Sequence, residues 1–455
     1  MKQRRLFLKA GAMAAAAGLL AGRVHAAQAQ TRTFRWKNWS EVQQCQAQSL
    51  AAPADEQALC ELLRNAGGTV RCVGAGHSFT PLVPTNDTIV SLERMSGVLS
   101  HDKASLTATL RAGTRLAMIS RQLDSQGLAL RNLPDIDMQS LAGAISTGTH
   151  GTGASLQALH ADVTALRLVS PQGEVVEWDE VRHPEQMAAA RVSLGSLGVI
   201  TQATMRVVPS FSLHRKVWLR PVNELLEQAP ELARKHRHFE FYYLPFTGYA
   251  AAITHDEYKG GDVLVPHSQD EDMLRDLRRL RDWLGKFPDL RRWTAGKLID
   301  PDLSEEAKNR SWKLLSTARP TRFNETECHV PREAGIACVR EVIAALEKRN
   351  EVFFPMEFRF VKGDDAWLSP FYKRDSCSIA VHAAHGEPYD YLLSDIGPIY
   401  RKYGGRPHWG KLHNLGAKEL AGLYPRWNDF LALRQQMDPK GRMLNQHLRS
   451  LFGVA

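Results

Sequence analysis

Apolar and polar positions along this chain switch repeatedly between the helical and the extended period. Leu59, Leu62, Leu63 and Ala66 fall at i, i+3, i+4 and i+7, lining one face of a helix that Gly67-Gly68 ends. A short apolar strand follows at Val70, Cys72 and Val73, and a second apolar run covers Thr88 to Leu92. Leu106, Ala108 and Leu110 alternate with polar residues, as a half-buried strand does. Leu116, Ile119 and Leu123 predict a helix that stops near Gln126-Gly127. Val163 to Val169 and Glu174 to Trp178 flank Pro171-Gln172-Gly173, a hairpin signal, and a strand from Val199 to Val208 is closed by Pro209.

Beyond residue 210 the texture changes. Pro221 to Lys235 and Asp270 to Lys286 read as charged amphipathic helices. Phe239 to Leu244 and Tyr249 to Thr254 form a hairpin pattern around Pro-Phe-Thr-Gly. A helix over Arg340 to Arg349 precedes a strand over Val352 to Val361. The pattern predicts two α+β domains with a boundary near residues 208 to 215.

A chain of 455 residues accommodates two or three full cores, and 44% hydrophobic with 24% charged residues is ordinary globular composition. The net charge of +9 falls to +4 without Lys2, Arg4, Arg5, Lys9 and Arg23, so the basic balance does not imply nucleic-acid binding. Those residues belong to an N-terminal segment with Arg4-Arg5, Phe7-Leu8-Lys9 and an uncharged run from Ala10 to Gly22. The run falls short of the ~20 apolar residues of a membrane span. Val24-His25-Ala26 and Ala27-Gln28-Ala29 offer signal-cleavage sites. The segment is similar to a twin-arginine export signal. Residues 1–29 are therefore expected to be removed near residue 26 or 29. The remainder is expected to pass folded through the twin-arginine machinery, to be periplasmic or secreted, and to carry no stable membrane span. Six scattered cysteines show no zinc spacing, and Cys60 and Cys72 read as small buried hydrophobes. Metal motifs of the H-E-x-x-H kind are absent.

The chemistry concentrates in three glycine-rich blocks. In Arg71 to Pro84, RCVGAGHSFTPLVP, a strand enters Gly74-Ala75-Gly76, where a backbone can approach a bulky anion. A dinucleotide fingerprint of the G-x-G-x-x-G kind would need a third glycine where Phe79 stands, and Pro81 and Pro84 oppose the helix it opens. His77 then stands on a loop built to touch a cofactor. SLAGAISTGTHGTG, Ser140 to Gly153, reads as a loop able to wrap a long polar ligand, and SLGSLG, Ser193 to Gly198, has the same character. Three such blocks imply one extended ligand held by several loops.

VGAGHSFT, LAGAISTGTHGTG and SLGSLGVIT resemble, in order and spacing, the FAD domain of the vanillyl-alcohol-oxidase superfamily. RPHWGKLH, Arg406 to His413, is similar to the signature of its aldonolactone and alditol oxidases. The similarity runs from Trp36-Lys37-Asn38-Trp39 to Leu444-Asn445. It implies an α+β fold: a two-subdomain PCMH-type FAD-binding domain over residues 30–210, then an α+β substrate (cap) domain with an antiparallel sheet over 211–455, whose C-terminal segment returns to the flavin.

The resemblance also assigns residues. Gly74, Ala75, Gly76 and Ser78 would cradle the FAD pyrophosphate, with His77 as the covalent attachment point to the flavin. Ser140, Gly143, Thr147, Gly148, Thr149, His150 and Gly151 would line the flavin and its ribityl chain. Gly195, Ser196, Gly198, Val199 and Ile200 would run toward the adenine half. Glu357 and Arg359, at i and i+2 of a strand and so on one face, would orient the sugar hydroxyls. Lys411 would be the third polar contact, and His408 and Trp409 framework. The implied reaction is oxidation of a sugar-lactone carbinol of the D-arabinono-1,4-lactone or L-gulono-1,4-lactone type by hydride transfer to flavin N5, with O2 or another electron acceptor. Glu357 and Lys411 both stand as proton acceptors. An alditol oxidase acting on polyols, a dehydrogenase and an exported flavin-fold binding protein remain the alternatives.

Overall fold

The computed structural model describes residues 33–266, 270–317 and 320–454. The export segment and its cleavage sites lie outside these residues. Within them the fold is α+β. A parallel three-stranded sheet places Thr88–Ser91 between Ser49–Ala51 and Val70–Val73. The crossover helix Glu56–Asn65 buries Leu59, Cys60 and Leu63, and its Asp55 cap accepts the Ala58 N–H at 2.9 Å. An antiparallel five-stranded sheet has the order Val175–Asp179, Val163–Val169, Val199–Arg206, Thr107–Arg111, Val98–Asp102.

The largest sheet has eight strands, in the order Ser304–Arg310, Ser212–Pro221, Tyr249–Tyr258, His238–Tyr243, Met356–Val361, Ser376–Ala384, Phe323–Pro331, Arg406–Pro407. Its strands are antiparallel neighbours, and period-2 alternation sorts two very different faces. Phe241, Phe358, Ile379, Val381, Cys328 and Val330 point one way and pack with Leu225, Leu226 and Ala229 of the helix Val222–Lys235 and Cys338, Val339 and Val342 of the helix Gly335–Leu346. Phe241 and Phe358 stack across the strands at 4.8 Å between centroids. The opposite face carries Tyr242, Glu357, Arg359, Ser378, His382, Glu325 and Glu327, and it faces a cavity.

Most expected elements are present within a few residues of their bounds. Two regions read differently. Ser140 to Gly153 opens with the helix Leu141–Thr147 in place of a continuous loop, because Leu141, Ala144 and Ile145 bury one side of it. Three helices close the chain, Ala417–Leu423, Trp427–Met437 and Gln446–Phe452, and Leu420, Phe430, Leu448 and Phe452 join the same core as Leu59, Leu110 and Ile145. All six cysteines are free thiols; Cys60 is buried, and Cys72 is only half-buried. No helix among the described residues is long and apolar enough to cross a membrane.

His255 and His408 are buried and His413 half-buried, and desolvation lowers each pKa to about 3. An unfolded chain binds protons at these rings below pH ~6.5 and the native one does not, so stability rises with pH across that interval. Each ring is expected to remove on the order of 2 kcal/mol at about pH 5 relative to neutrality. A urea midpoint that does not fall on acidification toward pH ~5 would contradict this.

Candidate active site

The strand Val70–Val73 delivers the chain into Gly74-Ala75-Gly76-His77-Ser78. A Cβ on Gly74 would lie 2.0 Å from the Ser140 Oγ, and Gly76 takes φ 69°, so this close turn requires glycine. The N–H groups of Ala75, Gly76, His77 and Ser78 donate to no acceptor among the described residues. They leave a row of backbone donors suited to a pyrophosphate. The loop is pinned from behind: the Trp39 N–H donates to the Gly76 carbonyl (2.8 Å), Asn38 Nδ2 to that of Ser78 (2.9 Å) and Gln43 Nε2 to that of Phe79 (2.9 Å).

This loop lines a cavity of about 1200 Å³, above the roughly 300–1,000 Å³ typical of a single small ligand. Ser140, Gly143, Thr147, Thr149, His150, Gly195, Gly198, Val199 and Ile200 line it as well. An extended cofactor fits this wall of glycines and small residues. Gly148 and Gly151, expected at the cofactor, do not line the cavity. Gly148 ends the helix at φ 79° against Pro370, and a Cβ on Gly151 would meet the Leu133 carbonyl oxygen at 2.3 Å. Both shape backbone behind the wall. Ser196 is also behind it, with its Oγ donating to the Ser193 carbonyl at 2.7 Å.

Arg71 holds the first and third glycine blocks to the C-terminal segment. Its buried guanidinium donates to the carbonyls of Leu82 (2.7 Å), Leu194 (2.8 Å), Gly195 (3.1 Å) and Met443 (2.5 Å). Burial lowers its pKa to about 10.

The polar face of the large sheet forms the opposite wall. Glu357 and Arg359 are ion-paired, on a strand flanked on both sides, and Tyr242 Oη donates to Glu357 Oε1 at 2.5 Å. Arg359 Nη2 also lies 3.8 Å from Glu327. Glu327 accepts from Ser378 Oγ at 2.5 Å and faces His150 Nε2 at 3.0 Å. Lys411 is paired with Glu325 and lies 3.9 Å from Glu327, while His382 Nε2 is 3.7 Å from Glu325.

Lys411 comes from a segment with no element of its own. Its backbone is tied to the large sheet by the His408 N–H on the Glu327 carbonyl (3.0 Å) and the Leu412 N–H on that of Glu325 (2.9 Å). It is tied to the cofactor loop by the Phe79 N–H on the Gly410 carbonyl (2.7 Å) and Thr80 Oγ1 on that of Trp409 (2.7 Å). His77 and Lys411 thereby share one region of the cavity. His408 lines it too, with the Gly410 N–H donating to Nδ1 at 3.0 Å, so Nε2 carries the hydrogen of a neutral ring. Trp409 is buried framework, its indole N–H on the Leu368 carbonyl at 2.6 Å.

Charge balance follows from these contacts. Burial alone would raise Glu327, but His150, Arg359 and His408 hold it well below the usual carboxylate range. Glu325 is raised by burial, which Lys411 offsets only in part. Burial would lower Arg359; Glu357 and Glu327 outweigh it and hold the guanidinium firmly protonated. His77 is pushed down to about 4 by burial and by the positive charges of Lys411 and Arg115, which keeps its imidazole neutral.

Glu325, Glu327 and Tyr242 were not singled out by the sequence reading. Their signal was present in NETECHVP and FEFYY: polar residues at alternate positions of a strand whose other positions are apolar.

A glycine-lined cavity of this volume, closed by a charged sheet face, fits a flavin-dependent oxidoreductase of the FAD-plus-cap architecture. The fold matches cholesterol oxidase from B. sterolicum with a TM-score of 0.71 at 16% identity, covering 92% of this chain and 97% of that one. Residues 47–179 match the FAD binding domain model, and residues 203–451 match the model of D-arabinono-1,4-lactone oxidase. The chain is 34% identical to L-gulono-1,4-lactone dehydrogenase of Mycobacterium tuberculosis, over 92% of this chain and 99% of that protein. It is 30% identical to L-gulonolactone oxidase of Mus musculus (92% and 98%) and 27% identical to alditol oxidase of a Streptomyces species (91% and 98%). The chain belongs to the D-arabinono-1,4-lactone oxidase family and is an FAD-dependent oxidoreductase of that family.

Proposed function

We propose that the protein oxidises the carbinol of a sugar lactone of the D-arabinono-1,4-lactone or L-gulono-1,4-lactone type, with O2 as acceptor and H2O2 as product. The convergence of Glu357, Arg359, Lys411 and His77 on one cavity carries this reading. Residues 30–210 would hold FAD and residues 211–455 the substrate, with Gly74 to Ser78 on the pyrophosphate and Ser140, Gly143, Thr147, Thr149 and His150 along the flavin. When bound, the flavin supplies a two-electron acceptor, N5 taking the carbinol hydrogen as hydride.

The protein's own part is positioning and charge. Glu357 accepts from substrate hydroxyls while Arg359 and Lys411 steady developing negative charge. The hydroxyl proton leaves toward the Lys411–Glu325 pair, because Arg359 and Tyr242 already engage Glu357. Glu325 must be ionised to receive it, so kcat/KM is expected to rise with pH through its raised pKa. In Glu325→Gln that acid limb should disappear from the profile; an unaltered limb removes Glu325 from the proton path.

His77 would carry the flavin covalently. Neither of its nitrogens is hydrogen-bonded to a described residue, and a neutral imidazole keeps a lone pair for attack. Exported folded, as the N-terminal segment leads us to propose, this assembly would reach the periplasm or the outside of the cell already loaded. Flavin fluorescence should follow the protein band through denaturing electrophoresis and be lost in His77→Ala. A panel of aldonolactones and polyols, assayed in air for peroxide, tests the substrate class. Turnover of polyols alone favours the alditol oxidase reading, which the Streptomyces relative keeps open. Turnover only with an added dye acceptor sinks the role of O2.

A further inference from the structure

The helices Asp270–Leu284 and Pro288–Leu298 and the turn between them carry five exposed large apolar side chains. Trp283, Phe287, Trp293 and Leu298 are 77%, 61%, 64% and 69% exposed, and Leu290 is exposed beside them. Neither indole makes a hydrogen bond, ring contact or cation–π contact with a described residue. An isolated exposed apolar side chain needs no explanation; five within sixteen residues do.

The exposure is built in. On Pro288–Leu298, Arg291 and Ala295 form the buried face. The Arg291 guanidinium stacks on Phe246 at 3.9 Å and donates to the carbonyls of Asn350 (2.9 Å) and Val352 (2.7 Å). With Arg291 anchored inward, Leu290, Trp293 and Lys297, at i, i+3 and i+7, are directed outward on one stripe. Leu277 and the Arg281–Glu387 ion pair fix the preceding helix in the same way.

Charge identifies the occupant. Asp282 and Asp289 are already paired with Arg281 and Arg292, whereas the exposed Lys286 and Lys297 have no ion pair among the described residues. Among the described residues of the segment, Glu271 accepts from Thr321 Oγ1 and Asp300 lies past the helix end, and neither is in an ion pair. A second copy seated face to face on this patch would set the same lysines against each other, which disfavours self-association. An anionic lipid surface takes up tryptophan and phenylalanine rings at headgroup depth and pairs the lysines.

We infer that this helix pair docks the protein on an anionic bilayer surface. Leu277, Leu280, Trp283, Ala295 and Leu298 also line the cavity, so the docked face adjoins the cavity holding the candidate active site. The docking does not depend on which lactone is oxidised.

The flavin-loaded full chain is expected to cosediment with vesicles of phosphatidylcholine plus phosphatidylglycerol and to stay in solution with phosphatidylcholine alone. Phe287→Ser/Trp293→Ser should weaken that binding at least about tenfold with the melting temperature unchanged. Lys286→Gln/Lys297→Gln should weaken it about fivefold per lysine, and added salt should mimic this change. Equal binding by the Phe287→Ser/Trp293→Ser variant, equal binding to both vesicle types, or no binding overturns the inference. Light scattering that shows a dimer broken by the same variant, without lipid binding, overturns it in favour of a second copy.

Discussion

Arg359→Met is expected to lower kcat/KM by about a hundred- to thousandfold, the usual effect of deleting one preorganised charge at a reacting centre. The same change should cost about 3–5 kcal/mol of stability. The two losses share one cause. Arg359 is buried against Glu357 and within 3.8 Å of Glu327, so its removal leaves two nearly buried carboxylates without their cation. At least one must then take up a proton on folding, so stability should fall more steeply as pH rises than in the wild type, where Glu325 already has a raised pKa. Arg359→Met/Glu357→Gln separates the effects. It should recover much of the lost stability, because no unpaired charge remains at Glu357, while activity stays low. Activity returning with stability would remove Arg359 from the proposed catalytic role, and urea unfolding alongside steady-state kinetics reads both.

Arg71→Leu is expected to destabilise the protein by on the order of 3–5 kcal/mol and to loosen flavin retention. Four carbonyls would lose a guanidinium donor, only that of Leu82 keeping another contact among the described residues, with Asn445 Nδ2, and each buried unsatisfied acceptor costs about 1–3 kcal/mol, not additively. The affected carbonyls belong to three segments: Leu82 after the His77 loop, Leu194-Gly195 of the third glycine block, and Met443 near the C-terminus. Arg71→Lys should fail to rescue, since one ammonium cannot reach four acceptors in fixed directions. Equilibrium unfolding and the flavin-to-protein absorbance ratio after desalting check the two parts separately. Full retention of flavin would show that the loops hold their places without the clamp.

The local features of the site were legible because their causes are local. A glycine that must avoid Ser140, prolines that forbid a helix after the loop, and a strand with Glu357 and Arg359 two apart are all properties of a few consecutive residues. The period of two even separates the faces of the large sheet, which is why Glu357 and Arg359 could be placed on the same side. The family resemblance then joined these fragments into an FAD-dependent oxidoreductase, which the matching models and relatives bear out.

One reading failed where burial overrode local texture. Glycine, serine and threonine in Ser140 to Gly153 spoke for a loop, yet burial of Leu141, Ala144 and Ile145 makes a helix of its first half. Gly148 and Gly151 looked like cofactor contacts, and contacts with Pro370 and Leu133, both distant in the chain, explain why they are glycine.

The chain by itself therefore determined the elements, the turn at Gly74 to Ser78 and the chemical inventory of the site. Only the tertiary structure decided which charges meet. Arg359 sits between Glu357 on its own strand and Glu327 two strands away, and Lys411 between Glu325 and the His77 loop, held there by hydrogen bonds joining segments more than 80 residues apart in sequence. Charge pairing in a desolvated site depends on distances of a few ångströms, and those distances are set by the register of the eight-stranded sheet and the docking of the Arg406 to His413 segment across it. The same physics explains Arg71: its role is written in four distant carbonyls, none of them adjacent to it in the chain.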